Sequence, residues 1–167
     1  METLIFTAGV LLAMGISLGV GSSTLAVLNF FVAIKDGKIE ETERHFMGIT
    51  YIVLRVAMVI ILFSSATLVL TIGQEYLNTY TMAQFLLIGM LYLNAILMTL
   101  RLMPSTFGPA IQASSWYTLG FLLAFYNQGV SDFSMTTFLL GYLAMFLVAV
   151  AIINGVMGYL KSQRKES

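Results

Sequence analysis

From Thr3 to Ile34 the chain runs for 32 residues without one charged side chain. A helix needs about 20 apolar residues to cross the hydrocarbon core of a bilayer, so this stretch alone rules out most soluble folds. Four further runs follow the same pattern: Phe46 to Gly73, Met82 to Leu100, Gly108 to Tyr126 and Ser134 to Leu160. Between them lie the short polar segments KDGKIEETERH, QEYLNTYT, RLMPSTF and NQGVSDF. Only 10% of the residues are charged, against about 25% in an ordinary soluble domain, so there is too little polar surface to face water all round.

These runs are too long and too evenly apolar for the alternating strands of a barrel. Lipid also requires each spanning segment to satisfy its own backbone hydrogen bonds. The expected fold is therefore an all-α integral membrane protein, a five-transmembrane-helix bundle forming a single polytopic domain over residues 1–167. Met1-Glu2-Thr3 lacks the basic stretch of a signal peptide, and the first run is expected to remain as a membrane helix.

Orientation is read from the basic residues. Lys35, Lys38 and Arg44 lie in the first polar segment, Arg101 in the third, and Lys161, Arg164 and Lys165 in the tail. Arg55 lies within the second run, toward the same side. The opposite side receives Glu2, Glu75 and Asp132 and no Lys or Arg. This split predicts an outside N-terminus and a cytoplasmic C-terminus, in a multi-pass protein of the cytoplasmic or plasma membrane. The alternating segments also place Tyr76, Tyr80 and Tyr126 at the outer interface, where amphipathic rings prefer to lie. As one straight helix the first run would be about 48 Å long. It should either bend at Gly19-Val-Gly-Ser-Ser or project, with Phe30, Phe31, Val32 and Ile34 covered by Phe46, Met47, Ile49, Tyr159 and Leu160. The first polar segment is then a charged cytoplasmic hairpin, with helix 2 starting near Ile39.

Several chemistries are excluded by what is missing. There is no cysteine and one histidine, His45; no metal ligand set and no cofactor are expected. The spans contain no Asp, Glu or His and no nucleophile–base pair, which argues against an enzyme. Zero net charge argues against nucleic acid.

What remains are a buried cation and neutral polar groups. Arg55 is the ionisable residue within a span, and such a residue marks a ligand site, a structural pairing or a snorkelling side chain. Asn29, Asn94, Gln112 and Asn154 need hydrogen-bond partners in lipid and should face the bundle interior. Trp116, the sole tryptophan, lies about 10 Å beyond Pro109 along a helix, too deep for an interfacial belt. It should be buried with its indole N–H bonded, Asn94 and Asn29 being the candidate partners. Arg101, with Thr106 or Gly108 capping the fourth helix ahead of Pro109, could hold an anion or lipid headgroup. Gly15, Gly19 and Ser23, then Ala110, Ser114 and Thr118, then Ala151 and Gly155 form small-residue rows for close helix packing, one of which could join copies in a homo-oligomer.

Length and number of runs resemble the five-helix tryptophan-rich translocator proteins. Those use several tryptophans where this chain has one, and no function is carried over. Two functions fit the residues. One is a channel or facilitator for a small solute or ion. The other is a non-transporting membrane subunit or lipid-binding scaffold, which recruits a partner through the charged hairpin and the proline loop.

Overall fold

The computed structural model describes residues 1–36, 41–103 and 107–166. Of these, 91% are helical and none lies in a strand. Five long helices follow in order: α1 Glu2–Asp36, α2 Glu41–Ile72, α3 Thr79–Thr99, α4 Phe107–Asn127 and α5 Met135–Glu166, with a 3₁₀ turn at Gly73–Tyr76 between α2 and α3. Helices α1, α2, α3 and α5 are long and apolar enough to cross a membrane. The start expected for helix 2, Ile39, and the proposed cap Thr106 lie outside the described residues.

Helix ends follow local chemistry. Asn78 opens α3, its side chain accepting the Thr81 N–H at 3.0 Å, and Ser134 opens α5 by accepting from the Thr137 N–H at 3.0 Å; both relieve an unpaired amide of a first turn. Helices α3 and α4 end in the same Schellman arrangement. After α4, Gly129 takes the left-handed position at φ 76°, and the Val130 N–H reaches the Phe125 carbonyl at 2.9 Å. After α3 that position falls to Arg101, at φ 58°, with the Leu102 N–H bonded to the Leu97 carbonyl at 2.9 Å. Gly108 is not a cap: it lies inside the first turn of α4, followed by Pro109, where a missing N–H costs nothing.

Helix α1 is continuous through Gly19–Ser23, and its small residues are consumed inside the chain. A Cβ on Gly15 would come within 2.8 Å of Ile61 and 2.9 Å of Ile60, and a Cβ on Gly19 would overlap the six-membered ring of Trp116. Ser23 is fully buried. This row therefore seats α2 and α4 and is not available to join copies. The α4 row, Ala110, Ser114 and Thr118, is buried as well. The α5 row is different: Ala151 and Gly155 are exposed, with open space where a Gly155 Cβ would point.

Helix α4 is the centre of the bundle, touching α1, α3 and α5. Its polar groups are met by neighbours. Ser115 bonds the Tyr142 hydroxyl at 2.9 Å, and Tyr117 bonds the Thr24 hydroxyl at 2.7 Å. Ile16, Ile61, Leu87, Leu91 and, on α4 itself, Leu119 belong to the core and are essentially without solvent exposure. Tyr80 joins this core and stacks on exposed Tyr126 at 4.7 Å, so of the tyrosines expected at the outer interface it is buried. The expected mutual cover of the projecting ends does not form: Val32, Phe46, Ile49 and Tyr159 are exposed. Two helices packed through one seam bury only the sides that face each other, and the others remain open.

Candidate functional site

Helices α2 and α3 are consecutive and antiparallel, yet they meet closely at one end only. Near the 3₁₀ turn, the Gln84 side chain donates to the Ser65 hydroxyl at 2.6 Å, and that hydroxyl in turn donates to the Ile61 carbonyl at 2.6 Å. At the other end, which carries Arg55 and Arg101, the helices part and enclose a cavity of about 270 Å³.

Three helical faces line it. From α2 come Tyr51, Leu54, Arg55 and Met58; from α3, Leu91, Asn94, Ala95, Met98 and Thr99; from α4, Gln112 and Trp116. Within each helix every one of these residues has another three or four positions away, the spacing of one face. Four of the six ligand or pathway candidates thus converge: Arg55, Asn94, Gln112 and Trp116. Asn29 is half-buried and does not line this cavity. Asn154 is exposed on α5, contrary to the expectation that it faces the interior. The residue that turns inward there is its neighbour Ile153, and one residue is a 100° rotation of a helix.

The polar groups of the cavity are unevenly satisfied. Asn94 is 2% exposed. Its amide donates to the Gly108 carbonyl at 3.0 Å and to the Met98 sulfur at 3.6 Å, which ties α3 to the start of α4. A carbonyl can only accept, so these bonds orient the amide NH₂ toward α4 and fix Oδ1 on the other side. That oxygen has no partner among the described residues. Gln112 makes no side-chain hydrogen bond among the described residues. It also borders a crevice of about 10 Å³ with Ser23, Phe30, Tyr51 and Pro109, space for about one water. The Ser23 hydroxyl in that crevice is likewise buried without a partner. Buried polar groups left unpaired cost about 1–3 kcal/mol each, so Asn94 Oδ1 at the cavity and the Ser23 hydroxyl in the crevice that shares Tyr51 and Gln112 with it favour occupants that supply their bonds.

Trp116 is fully buried, as expected, but not through a bond to Asn94, whose oxygen is free. It is held by shape: its ring fills the space left by Gly19, and it forms the floor of the cavity. Arg55 is exposed and stands at the mouth. Among the described residues no carboxylate lines the cavity and no ion pair to Arg55 is formed.

A second depression, about 380 Å³, lies on the outward side of the same seam, lined by Arg55, Met58, Ala95 and Thr99 together with Val59, Tyr92, Ile96 and Leu100. The first four residues border both spaces. The cavity therefore communicates with the flank of the bundle between α2 and α3, across the short side chains of Ala95 and Thr99. Arg101 and Gly108 are not part of this site. Arg101 closes α3, and Gly108 contributes its carbonyl to Asn94 and packs on Met98, whose sulfur would lie 3.0 Å from a Cβ there.

Sequence reasoning did not single out Tyr51, Met98 and Thr99. Their signal was available, since Tyr51 lies four residues before Arg55 and Met98 four after Asn94. It also missed Gln84, which like Ser23 and Asn94 has a buried oxygen without a partner among the described residues.

No model of a known protein family, no curated protein and no solved structure matches this chain.

Proposed function

We propose that this chain is a five-span membrane protein, N-terminus outside, that binds an amphiphilic small molecule inside the bilayer and neither transports nor transforms it. Helix α4 is the fifth span. Its most apolar stretch falls short of those in the other four, a polarity that its buried face tolerates, and the segregation of Lys and Arg supports the direction. The observation that carries the binding reading is the cavity between α2, α3 and α4. Its lining is mostly apolar with Asn94, Gln112 and Thr99 set into it, it is floored by Trp116, and it opens sideways through the α2–α3 seam.

A facilitator draws on the same residues. Ser23, Gln112 and Asn94 would be its first steps and Gln84, about 15 Å further along α3, its next. Leu87 and Leu91 stand between Asn94 and Gln84 and are fully buried, so a hydrated path would have to displace core side chains. For this reason binding is the better reading. The test is paired. Protein purified in mild detergent is examined by native mass spectrometry for retained lipid, and proteoliposomes are assayed for ion and small-solute flux. Retained lipid without flux is the expected outcome. Flux that disappears on Asn94→Leu or Arg55→Leu would establish the facilitator instead.

A further inference from the structure

Resting on that reading, we propose that the occupant is a phospholipid with a monoanionic, hydroxyl-bearing headgroup of the phosphatidylglycerol type. Its phosphodiester would pair with Arg55, a headgroup hydroxyl would donate to Asn94 Oδ1, and an acyl chain would lie in the outward groove.

The argument is one of charge and hydrogen-bond complementarity. Among the described residues the cavity presents a single cation and no carboxylate. A cation at the edge of a hydrocarbon region is stabilised by a counter-charge, and one guanidinium is neutralised by one phosphodiester, which its planar fork can grip with two bonds. An anion alone leaves the site incomplete. Asn94 Oδ1 is a buried acceptor without a donor, and a phosphate diester has only acceptors to offer. The ligand must therefore also carry an O–H or N–H. Choline lipids have neither. An ethanolamine lipid has donors, but its ammonium cancels the phosphate and leaves Arg55 without net compensation. A glycerol headgroup supplies hydroxyls and keeps the single negative charge. Gln112, which can both donate and accept, remains for the second hydroxyl.

The outward groove selects a lipid over a free anion. Met58, Val59, Ile96 and Leu100 give it an apolar wall, and it is continuous with Arg55. A soluble anion would gain nothing from that wall, whereas an acyl chain gains about 0.8 kcal/mol for each buried CH₂.

Trp116 is the only tryptophan and lines the cavity, so its emission reports occupancy. The full chain in a neutral detergent is titrated with dioctanoyl phosphatidylglycerol, with dioctanoyl phosphatidylcholine, with glycerophosphoglycerol lacking acyl chains, and with inorganic phosphate. The expected result is at least tenfold tighter binding of the glycerol lipid than of the choline lipid, and no saturable response to the two chainless anions. Arg55→Gln should remove the preference and Arg55→Lys retain most of it, with circular dichroism melting unchanged in both. Equal affinity for the two lipids, or an Arg55→Gln protein with the full preference, overturns the headgroup assignment. The binding reading then survives if Ala95→Leu still blocks both lipids. Saturable binding of glycerophosphoglycerol or phosphate as tight as that of the lipid overturns the lipid source. A tryptophan signal that responds to none of the four overturns the headgroup proposal and the binding reading together.

Discussion

The two ends of the α2–α3 seam have similar ingredients and opposite outcomes. At one end a neutral polar side chain, Gln84, reaches across to Ser65 and the helices close. At the other, Asn94 reaches away from α2 to the Gly108 carbonyl of α4, and the helices stay apart around Arg55. Which neighbour an amide bonds to decides whether a seam is sealed or open. Ala95 and Thr99 reinforce the difference by presenting little bulk at the open end.

The largest effect is expected from removing the floor that separates the two ends. Trp116→Ala should cost about 3–5 kcal/mol, the range for deleting a buried aromatic ring, and should extend the cavity toward Gly19 and Leu119. Thermal unfolding in detergent measures this, and a melting temperature equal to wild type would show that the closed end does not depend on the ring. Gly19→Leu attacks the same contact from the other side. Overpacking costs typically about 1–3 kcal/mol, and displacing the indole should shift its emission to the red.

Closing the open end tests it more sharply. Ala95→Leu places a branched side chain where the cavity meets the outward groove. Lipid retention should fall at least tenfold while the melting temperature holds or rises, since the substitution fills space. Opening the closed end is expected to matter less. Interhelical hydrogen bonds within membranes average about 0.6 kcal/mol, so Ser65→Ala should destabilise by that order. Ser65→Ala with Gln84→Leu should be near neutral, because no polar group is then left unpaired. A double variant worse than the single one would mean that Gln84 has a role beyond sealing the seam.

The smallest effect lies away from the seam. Arg101 holds the left-handed position that ends α3, where a residue with a Cβ is disfavoured by about 1–2 kcal/mol. Arg101→Gly should stabilise the protein by up to about 1 kcal/mol and leave lipid binding unchanged. Reduced binding would return this residue to the site from which the structure separates it.

Much of the molecule could be read along the chain, and the division is instructive. The helices were legible from run length, and the start of α4 from Pro109, whereas the Asn78 cap of α3 and the Gly129 stop of α4 were seen only in the structure. Burial of Trp116 was legible from its depth, and close packing from Gly15 and Gly19. The partner of the indole was not, because shape complementarity with a glycine leaves no polar signature. Nor was the division among the asparagines. Asn94, Asn29 and Asn154 look alike in an apolar run, and a rotation of one residue turns Asn154 outward while Ile153 packs inside.

The sequence by itself determined the apolar character and the helical class, because these depend on composition and on local backbone chemistry. Only the tertiary structure decided that Arg55, Asn94, Gln112 and Trp116 meet and that Asn29 and Asn154 do not join them. It also decided that an acceptor at that cavity and a hydroxyl in the neighbouring crevice are left without partners among the described residues. Those facts depend on which helical faces pack together, and residues on separate helices carry no local signal of the neighbour that a face will find.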